Sequence, residues 1–267
     1  MEFKLVKRKI EDHIAFLSLA RVDRLNAVNL ELAVEILESF KELAELDEVR
    51  VIILKSEARI FCAGLDLKSA MAEEIGEIPL SQSSSAGSGH PLLECCNSIE
   101  RCKKPVIAAV HGACVGAGLD LISACDIRLC TEDATFSIRE TGIGIVSDMG
   151  SIQRLPLIIG QGFTREMAFT AGFYTAREVE KMRLVNAVYP DKESMYGAAE
   201  KLARTIAENP PLGVQNSKLL LNEGRYLKVE DAMLKAGETN RKLIRSDDFK
   251  EAATAFLQKR KPVFKGK

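Results

Sequence analysis

Tryptophan is absent from the 267 residues, and aromatic residues make up only 6% of them. A chain so poor in stacking surfaces is a weak candidate for a single-strand nucleic-acid platform. Neither sign of charge is in excess. Lys and Arg number 37 against 38 for Asp and Glu, a formal net charge of −1. The global electrostatic footprint of a dedicated nucleic-acid binder is therefore missing. Histidine occurs three times, and no His/Cys/Asp/Glu grouping has metal-ligand spacing. The seven cysteines (Cys62, Cys95, Cys96, Cys102, Cys114, Cys125 and Cys130) form no CxxC pair. An odd number in mostly apolar runs reads as buried thiols in a reducing compartment. No secretory, transit or peroxisomal address is visible, so the compartment stays open. The most apolar stretch, Val106 to Cys125, contains His111 and Asp120. An Asp inside a lone span would cost about 2.5–3.5 kcal/mol, so the stretch reads as a buried strand and turn rather than a membrane helix. A Gly-x-Ser-x-Gly elbow and a Walker loop are also lacking.

What is present is an ordinary globular composition, 46% hydrophobic and 28% charged, long enough to bury a large core. Phe3–Ile10 and Ile14–Leu19 alternate and read as a hairpin. Apolar residues from Leu30 to Leu43 recur at helical spacing, with Asn29 as the expected cap. Val51–Leu54, Pro105–Val110 and Asp126–Cys130 are short, continuous apolar strands, the pattern of a parallel sheet covered on both faces. Ser81–Gly89 is the one low-complexity segment, and the loop from Ala70 to Pro91 is expected to shape a pocket. From about Asp191 the pattern turns helical, with Pro210-Pro211 separating two helices. The chain thus divides into an α/β part, residues 1–190, and a helical part, 191–267.

Three constellations could carry chemistry. In Phe61-Cys62-Ala63-Gly64-Leu65-Asp66-Leu67 a Gly permits an unusual backbone angle just before a helix. Such a turn can aim N–H groups at an anion, or it is an ordinary strand-to-helix turn. In His111-Gly112-Ala113-Cys114-Val115-Gly116-Ala117-Gly118-Leu119-Asp120 small residues allow close backbone approach at a second helix start. Two such N–H sources could form an oxyanion hole. Asp120 is either functional or a capping, hydrogen-bonded Asp. In Glu140 to Gly150 two carboxylates, Glu140 and Asp148, lie eight residues apart among Gly and apolar residues. Burial there raises a carboxyl pKa toward neutrality. On local sequence alone, Asp148 reads more readily as an N-cap for a helix over Ser151–Leu155. His13, His90 and His111 read as structural.

Taken in order, Arg24-Leu25-Asn26-Ala27, the Phe-Cys-Ala-Gly-Leu-Asp turn, Lys104-Pro105-Val106-Ile107-Ala108-Ala109-Val110-His111-Gly112, Ala124-Cys125-Asp126-Ile127-Arg128, Gln153-Arg154-Leu155-Pro156, Gly160 and Lys259-Arg260-Lys261-Pro262-Val263-Phe264 resemble the enoyl-CoA hydratase/isomerase (crotonase) superfamily nearly end to end. The resemblance implies an α/β spiral of βαβ units with a helical C-terminal region that drives trimerisation, trimers often pairing as hexamers. It implies an acyl-CoA thioester as substrate, with no cofactor, metal, nucleic acid or membrane. The thioester oxygen would sit between the backbone N–H groups of Leu65 and Ala117.

Hydratases of the family typically carry Glu at the positions of Asp120 and Glu140, and Gly at that of Asp148. The set Asp120, Glu140 and Asp148 instead resembles the Δ3,5-Δ2,4-dienoyl-CoA isomerases, which implies all three as catalytic residues in fatty-acid β-oxidation. The same matching implies substrate contacts at Arg24, Ala27, Ala63, Asp66, Leu67 and Lys68, with Phe256 and Lys259 supplied by a neighbouring subunit. The alternatives are a 2-enoyl-CoA hydratase and, from another class, a non-catalytic or RNA-binding module.

Overall fold

The structure, a computed structural model, describes residues 3–72 and 89–267. Most of the Ala70–Pro91 loop and of the Ser81–Gly89 segment therefore lies outside the described residues. The hairpin forms as the alternation predicts. Strands β1 (Val6–Glu11) and β2 (Ile14–Leu19) pair antiparallel, with Val6 opposite Leu19. β3 (Val51–Ser56), β4 (Val106–Val110), β6 (Ile127–Thr131) and β9 (Ala187–Tyr189) then add in parallel, in the order β1-β2-β3-β4-β6-β9. A second, smaller sheet joins β5 (Ala113–Val115), β7 (Thr135–Ser137) and β8 (Tyr174–Thr175). Its strands are two or three residues long, too short for a hydrophobic period to betray them.

The apolar runs are continuous because both faces of the large sheet are covered. Ile52, Leu54, Val106, Ala108 and Val110 meet helices α1 (Leu30–Glu45) and α3 (Pro91–Arg101). Their neighbours Val51, Ile53, Ile107 and Ala109 meet Met195, Ala199, Ala203 and Ala207 of α8 (Lys192–Ala207). The alanine stripe at four-residue spacing lets α8 lie close against the strands. The helical character expected from 191 is present, yet its first helix belongs to the sheet's packing.

On α1, Asn29 accepts from the Leu32 N–H at 3.0 Å, as a cap should. Leu32, Ile36, Phe40 and Leu43 are buried along one face, each contributing about 1.5–3 kcal/mol of burial. Glu35 is buried on the same helix without a cation. Its carboxylate accepts the backbone N–H groups of Leu5 at 2.8 Å and Val6 at 2.9 Å, which fastens the first strand to α1.

The remaining helices are α2 (Leu67–Ala72), α4 (Ala117–Ser123), α5 (Ser151–Ile158), α6 (Gly160–Thr170), α7 (Ala176–Lys181), α9 (Pro211–Gly224), α10 (Val229–Leu243) and α11 (Asp247–Leu257). All seven cysteines are buried and free. Among the described residues no helix is long and apolar enough to cross a membrane, and no group of His, Cys, Asp or Glu could hold a metal ion.

Candidate active site

The turn after β3 is gripped from two sides. On one side the Arg21–Val28 segment binds it. Ala63 N–H donates to the Leu25 carbonyl at 3.1 Å, Val28 N–H to Gly64 at 2.7 Å, and Asp66 N–H to Val28 at 2.8 Å. The buried Asn26 amide donates to Ser56 Oγ and to the Phe61 carbonyl. On the other side Cys62 forms a parallel bridge with Cys114 of β5. Val28 bonds to the residues flanking Leu65, so the Leu65 N–H itself points away from that bridge.

Ala117, the first residue of α4, has no preceding turn to accept its N–H. The start of α4 lies against Cys62 of the turn after β3. A Cβ on Gly118 would lie 2.7 Å from the Cys62 Cβ, so only Gly permits this approach. Gly116, at φ +50°, turns the chain into α4, and a Cβ there would lie 2.8 Å from Glu140 Oε1. Glu140 therefore abuts the start of α4, beside the Ala117 N–H.

Glu140 opens a 3-10 turn, Glu140–Ile143. The turn is anchored to α6 by Thr141 Oγ1 on the Ala168 carbonyl and by Arg139 on the Ala171 carbonyl at 2.8 Å. Glu140 Oε2 is buried with no hydrogen-bond partner among the described residues. Burial, then the negative charge of Asp120, pushes its carboxyl up to about 7.

Asp120 takes the hydrogen-bonded role that is one of its two alternatives, whereas Asp148 does not take the capping role that local sequence favours. The position that caps α5 is Gly150, and Asp148 is not its cap. The Ser151 N–H, in the first turn of α5, instead donates at 2.6 Å to Asp120 Oδ1, which reaches across from α4. Ser147 Oγ donates to the same oxygen at 3.0 Å. Asp120 is 1% exposed. Burial raises its pKa, opposed by these hydrogen bonds. Asp148 is exposed. It lines a cavity of about 280 Å³ with Leu93, Asn97, Met149, Gln153 and Tyr226.

Of the other residues singled out, Asp66 is committed to structure. It pairs with Arg21 at 2.7 Å and accepts from the Lys68 and Ser69 N–H groups at the start of α2. Burial raises its pKa, but the Arg21 hydrogen bond and the helix N–H groups outweigh that and hold it below the usual value. Ala63, Leu67, Arg24 and Lys68 are exposed around this turn, and Ala27 is half-buried. Phe256 and Lys259 lie at the end of α11, and Phe256 is exposed.

His111 is tied into the fold at both ring nitrogens. His111 Nε2 meets the Ala58 carbonyl at 2.9 Å and Nδ1 meets Tyr196 Oη at 3.2 Å. Another groove, about 830 Å³, lies beside α9 and is lined by none of the candidate catalytic, oxyanion or substrate-binding residues. Two of its cations, Lys218 and Arg128, bind backbone carbonyls. Lys218 binds Asp126 and the carbonyls of Ile99 and Lys104, and Arg128 binds those of Cys125 and Leu184. It is the joint that seats α9.

Sequence reasoning missed Arg21, Ser147, Ser151 and Arg154. Arg154 donates to Met149 O at 3.3 Å, beside Asp148, while its other nitrogens hold Glu100 and Asn97. The bonds of Arg21 to Asp66, of Ser147 and Ser151 to Asp120, and of Arg154 to Glu100 and Asn97 join residues 27 to 57 positions apart, which no local pattern reveals.

Residues 9–267 match the family model described as enoyl-CoA hydratase/isomerase. Among curated proteins, the chain is 38% identical over 256 residues to the mitochondrial Δ(3,5)-Δ(2,4)-dienoyl-CoA isomerase of Dictyostelium discoideum, covering 94% of this chain and 87% of that one. It is 35% identical to the peroxisomal Δ(3,5)-Δ(2,4)-dienoyl-CoA isomerase of Arabidopsis thaliana, covering 98% and 96%. Among solved structures, an enoyl-CoA hydratase from Bacillus anthracis superposes with a TM-score of 0.88 at 29% identity, covering 99% and 100%. With sequence and architecture both matching over nearly the whole length, the chain belongs to the enoyl-CoA hydratase/isomerase family.

Proposed function

We propose that the protein converts 3,5-dienoyl-CoA thioesters to 2,4-dienoyl-CoA thioesters. The carrying observation is the disposition of the three carboxylates. Asp120 Oδ1 is occupied by Ser147 and Ser151, and the side chain is 1% exposed. It is poorly placed to share a water with Glu140, as a hydratase pair would. Glu140 beside the Ala117 turn and the exposed Asp148 remain as separate acid–base groups. The names of the isomerase relatives agree with this reading.

The reaction moves both double bonds toward the thioester. Asp148 removes a proton from C2, and the C–H electron pair passes to the thioester oxygen. Glu140 then gives a proton to C6 as that charge returns along the chain and the double bonds settle at C2=C3 and C4=C5. The intermediate dienolate carries its charge on the thioester oxygen, between the N–H groups of Leu65 and Ala117. One such donor can be worth about 2.7–4 kcal/mol. A Glu140 pKa of about 7 suits a group that must hold and release a proton near neutrality. After turnover Asp148, being exposed, can return its proton to solvent.

In this reading Arg24 and Lys68 meet the nucleotide end of CoA, where phosphate charge favours cations. Phe256 and Lys259 come from a second copy in a trimer or hexamer. The step fits fatty-acid β-oxidation and calls for no cofactor.

A paired assay tests the proposal. A 3,5-dienoyl-CoA should give rising conjugated 2,4-dienoyl absorbance. Loss of conjugation with a 2-enoyl-CoA alone would assign a hydratase instead.

A further inference from the structure

Asp120, Ser147 and Ser151 form a closed polar knot, each at most 2% exposed. Ser147 Oγ lies 3.0 Å from Asp120 Oδ1 and 2.6 Å from Ser151 Oγ. The carboxylate oxygen also takes the Ser151 N–H at 2.6 Å and acts there as an acceptor. Ser147 Oγ donates to Asp120, and the Ser151 hydroxyl lies within hydrogen-bonding reach of both Ser147 Oγ and the Asp120 carboxylate. Two donors on one oxygen favour the ionised carboxylate. Burial alone would favour the neutral one.

The charge faces a definite set of groups. Glu140, from the 3-10 turn, lies against Gly116, whose carbonyl accepts the Asp120 N–H at 3.0 Å, so the two carboxylates flank one turn of backbone; Asp148 follows Ser147, which donates to Asp120. The Asp120 charge also reaches the thiols of Cys62, Cys96 and Cys114, on the oxyanion turn, α3 and β5. All three thiols are held protonated by their surroundings, burial being the main cause for Cys62 and Cys114, and the Cys95 hydrogen bond with burial for Cys96. The nearby cation on α5, Arg154, pairs with Glu100 and Asn97. Arg139, next to Glu140, donates to the Ala171 carbonyl. Among the described residues no ion pair includes Asp120 or Glu140.

We propose that Ser147 and Ser151 are positioning residues that keep Asp120 as a fixed anion, and that this anion holds Glu140 in its proton-bearing form without touching substrate. The same knot fixes Asp148, which lies between the two serines. The inference rests on the reading of Glu140 as the donor to C6. It also separates the three carboxylates by duty: Asp148 and Glu140 meet the acyl chain, and Asp120 sets the proton on Glu140.

The test is carboxyl-carbon NMR titration of the free protein, with Glu140→Gln assigning the resonance, followed by the pH profile of dienoyl-CoA turnover. Ser147→Ala and Asp120→Asn should each lower the Glu140 midpoint by about half a unit to one unit, the scale of one neighbouring charge near a surface. Any alkaline limb of turnover should move down with it. Ser147→Thr, which keeps the hydroxyl, should restore the wild-type midpoint. An unmoved midpoint in folded Ser147→Ala and Asp120→Asn overturns the inference. Should Ser147→Ala fail to fold, Asp120→Asn and Ser151→Ala decide it by the same titration. A shifted midpoint in a protein with no dienoyl-CoA turnover would uphold the electrostatic arrangement and refute the proposed reaction.

Discussion

The parallel sheet and the C-terminal helices follow opposite rules of burial. Around the sheet, large apolar side chains such as Leu17, Phe40 and Ile52 are fully buried, and α8 closes the second face. On α10 no residue is buried, although Val229, Met233 and Leu234 are apolar and about 70, 67 and 69% exposed. Tyr226, Phe256 and Leu257 are likewise exposed in the chain's last third. Exposed apolar patches mark interaction surfaces. The sheet region is sufficient for itself. The C-terminal helices make sense as one half of a contact, in keeping with the proposed assembly of copies.

The comparison can be sharpened first where the effect is largest. Glu140→Gln should lower dienoyl-CoA turnover by about 10²–10⁴-fold, the range for a lost general acid or base. Circular dichroism should remain unchanged. Residual turnover within tenfold of wild type would remove Glu140 from the chemistry.

Next in size is packing. Phe40→Ala, in the sheet region, should cost about 3–5 kcal/mol in denaturant unfolding. Leu234→Ala, on α10, should stay within about 0.5 kcal/mol for the isolated chain. Replacing Met233 and Leu234 together by Glu should instead reduce the mass seen by light scattering. Equal costs at Phe40 and Leu234 would break the contrast between the regions.

A third effect is in pH. Glu140 has a folded-state pKa of about 7 against an ordinary 4.5. A carboxyl raised by folding resists ionisation, so its ionisation destabilises the fold. Its contribution is fully present below the ordinary value and is lost as pH rises toward about 7. Glu140→Gln should therefore melt higher than wild type at pH 8 and equally at pH 4. The opposite order would mean that Glu140 is stabilised as an anion.

The smallest effect concerns the oxyanion turn. Arg21 holds Asp66 at 2.7 Å. Arg21→Ala should raise KM for the thioester several-fold while leaving the melting temperature within a few degrees. A change in kcat alone would place Arg21 elsewhere in the reaction.

Much of the scaffold was legible because its signals are local. The Asn29 cap, the hairpin alternation, the apolar strands and the Pro210-Pro211 break each lie within a few residues of what they govern. Glu140, Leu65 and Ala117 came from the order of motifs along the chain. The fold supplies a physical ground for each, in a buried carboxyl, a bridge that frees one N–H, and a helix start. The short strands β5, β7 and β8 escaped because two or three residues cannot display a period.

By itself, then, the sequence determined the sheet, its two-sided cover and the helical ending, since hydrophobic spacing and caps act over short distances. The tertiary structure alone decided what Asp120 and Asp148 do. Spacing suggested that Asp148 would cap α5, whereas Asp120, 31 residues before Ser151, takes that N–H. A capping bond needs only proximity in space, and the packing of α4 against α5 supplied it. Asp148 was thereby left exposed and free for other work.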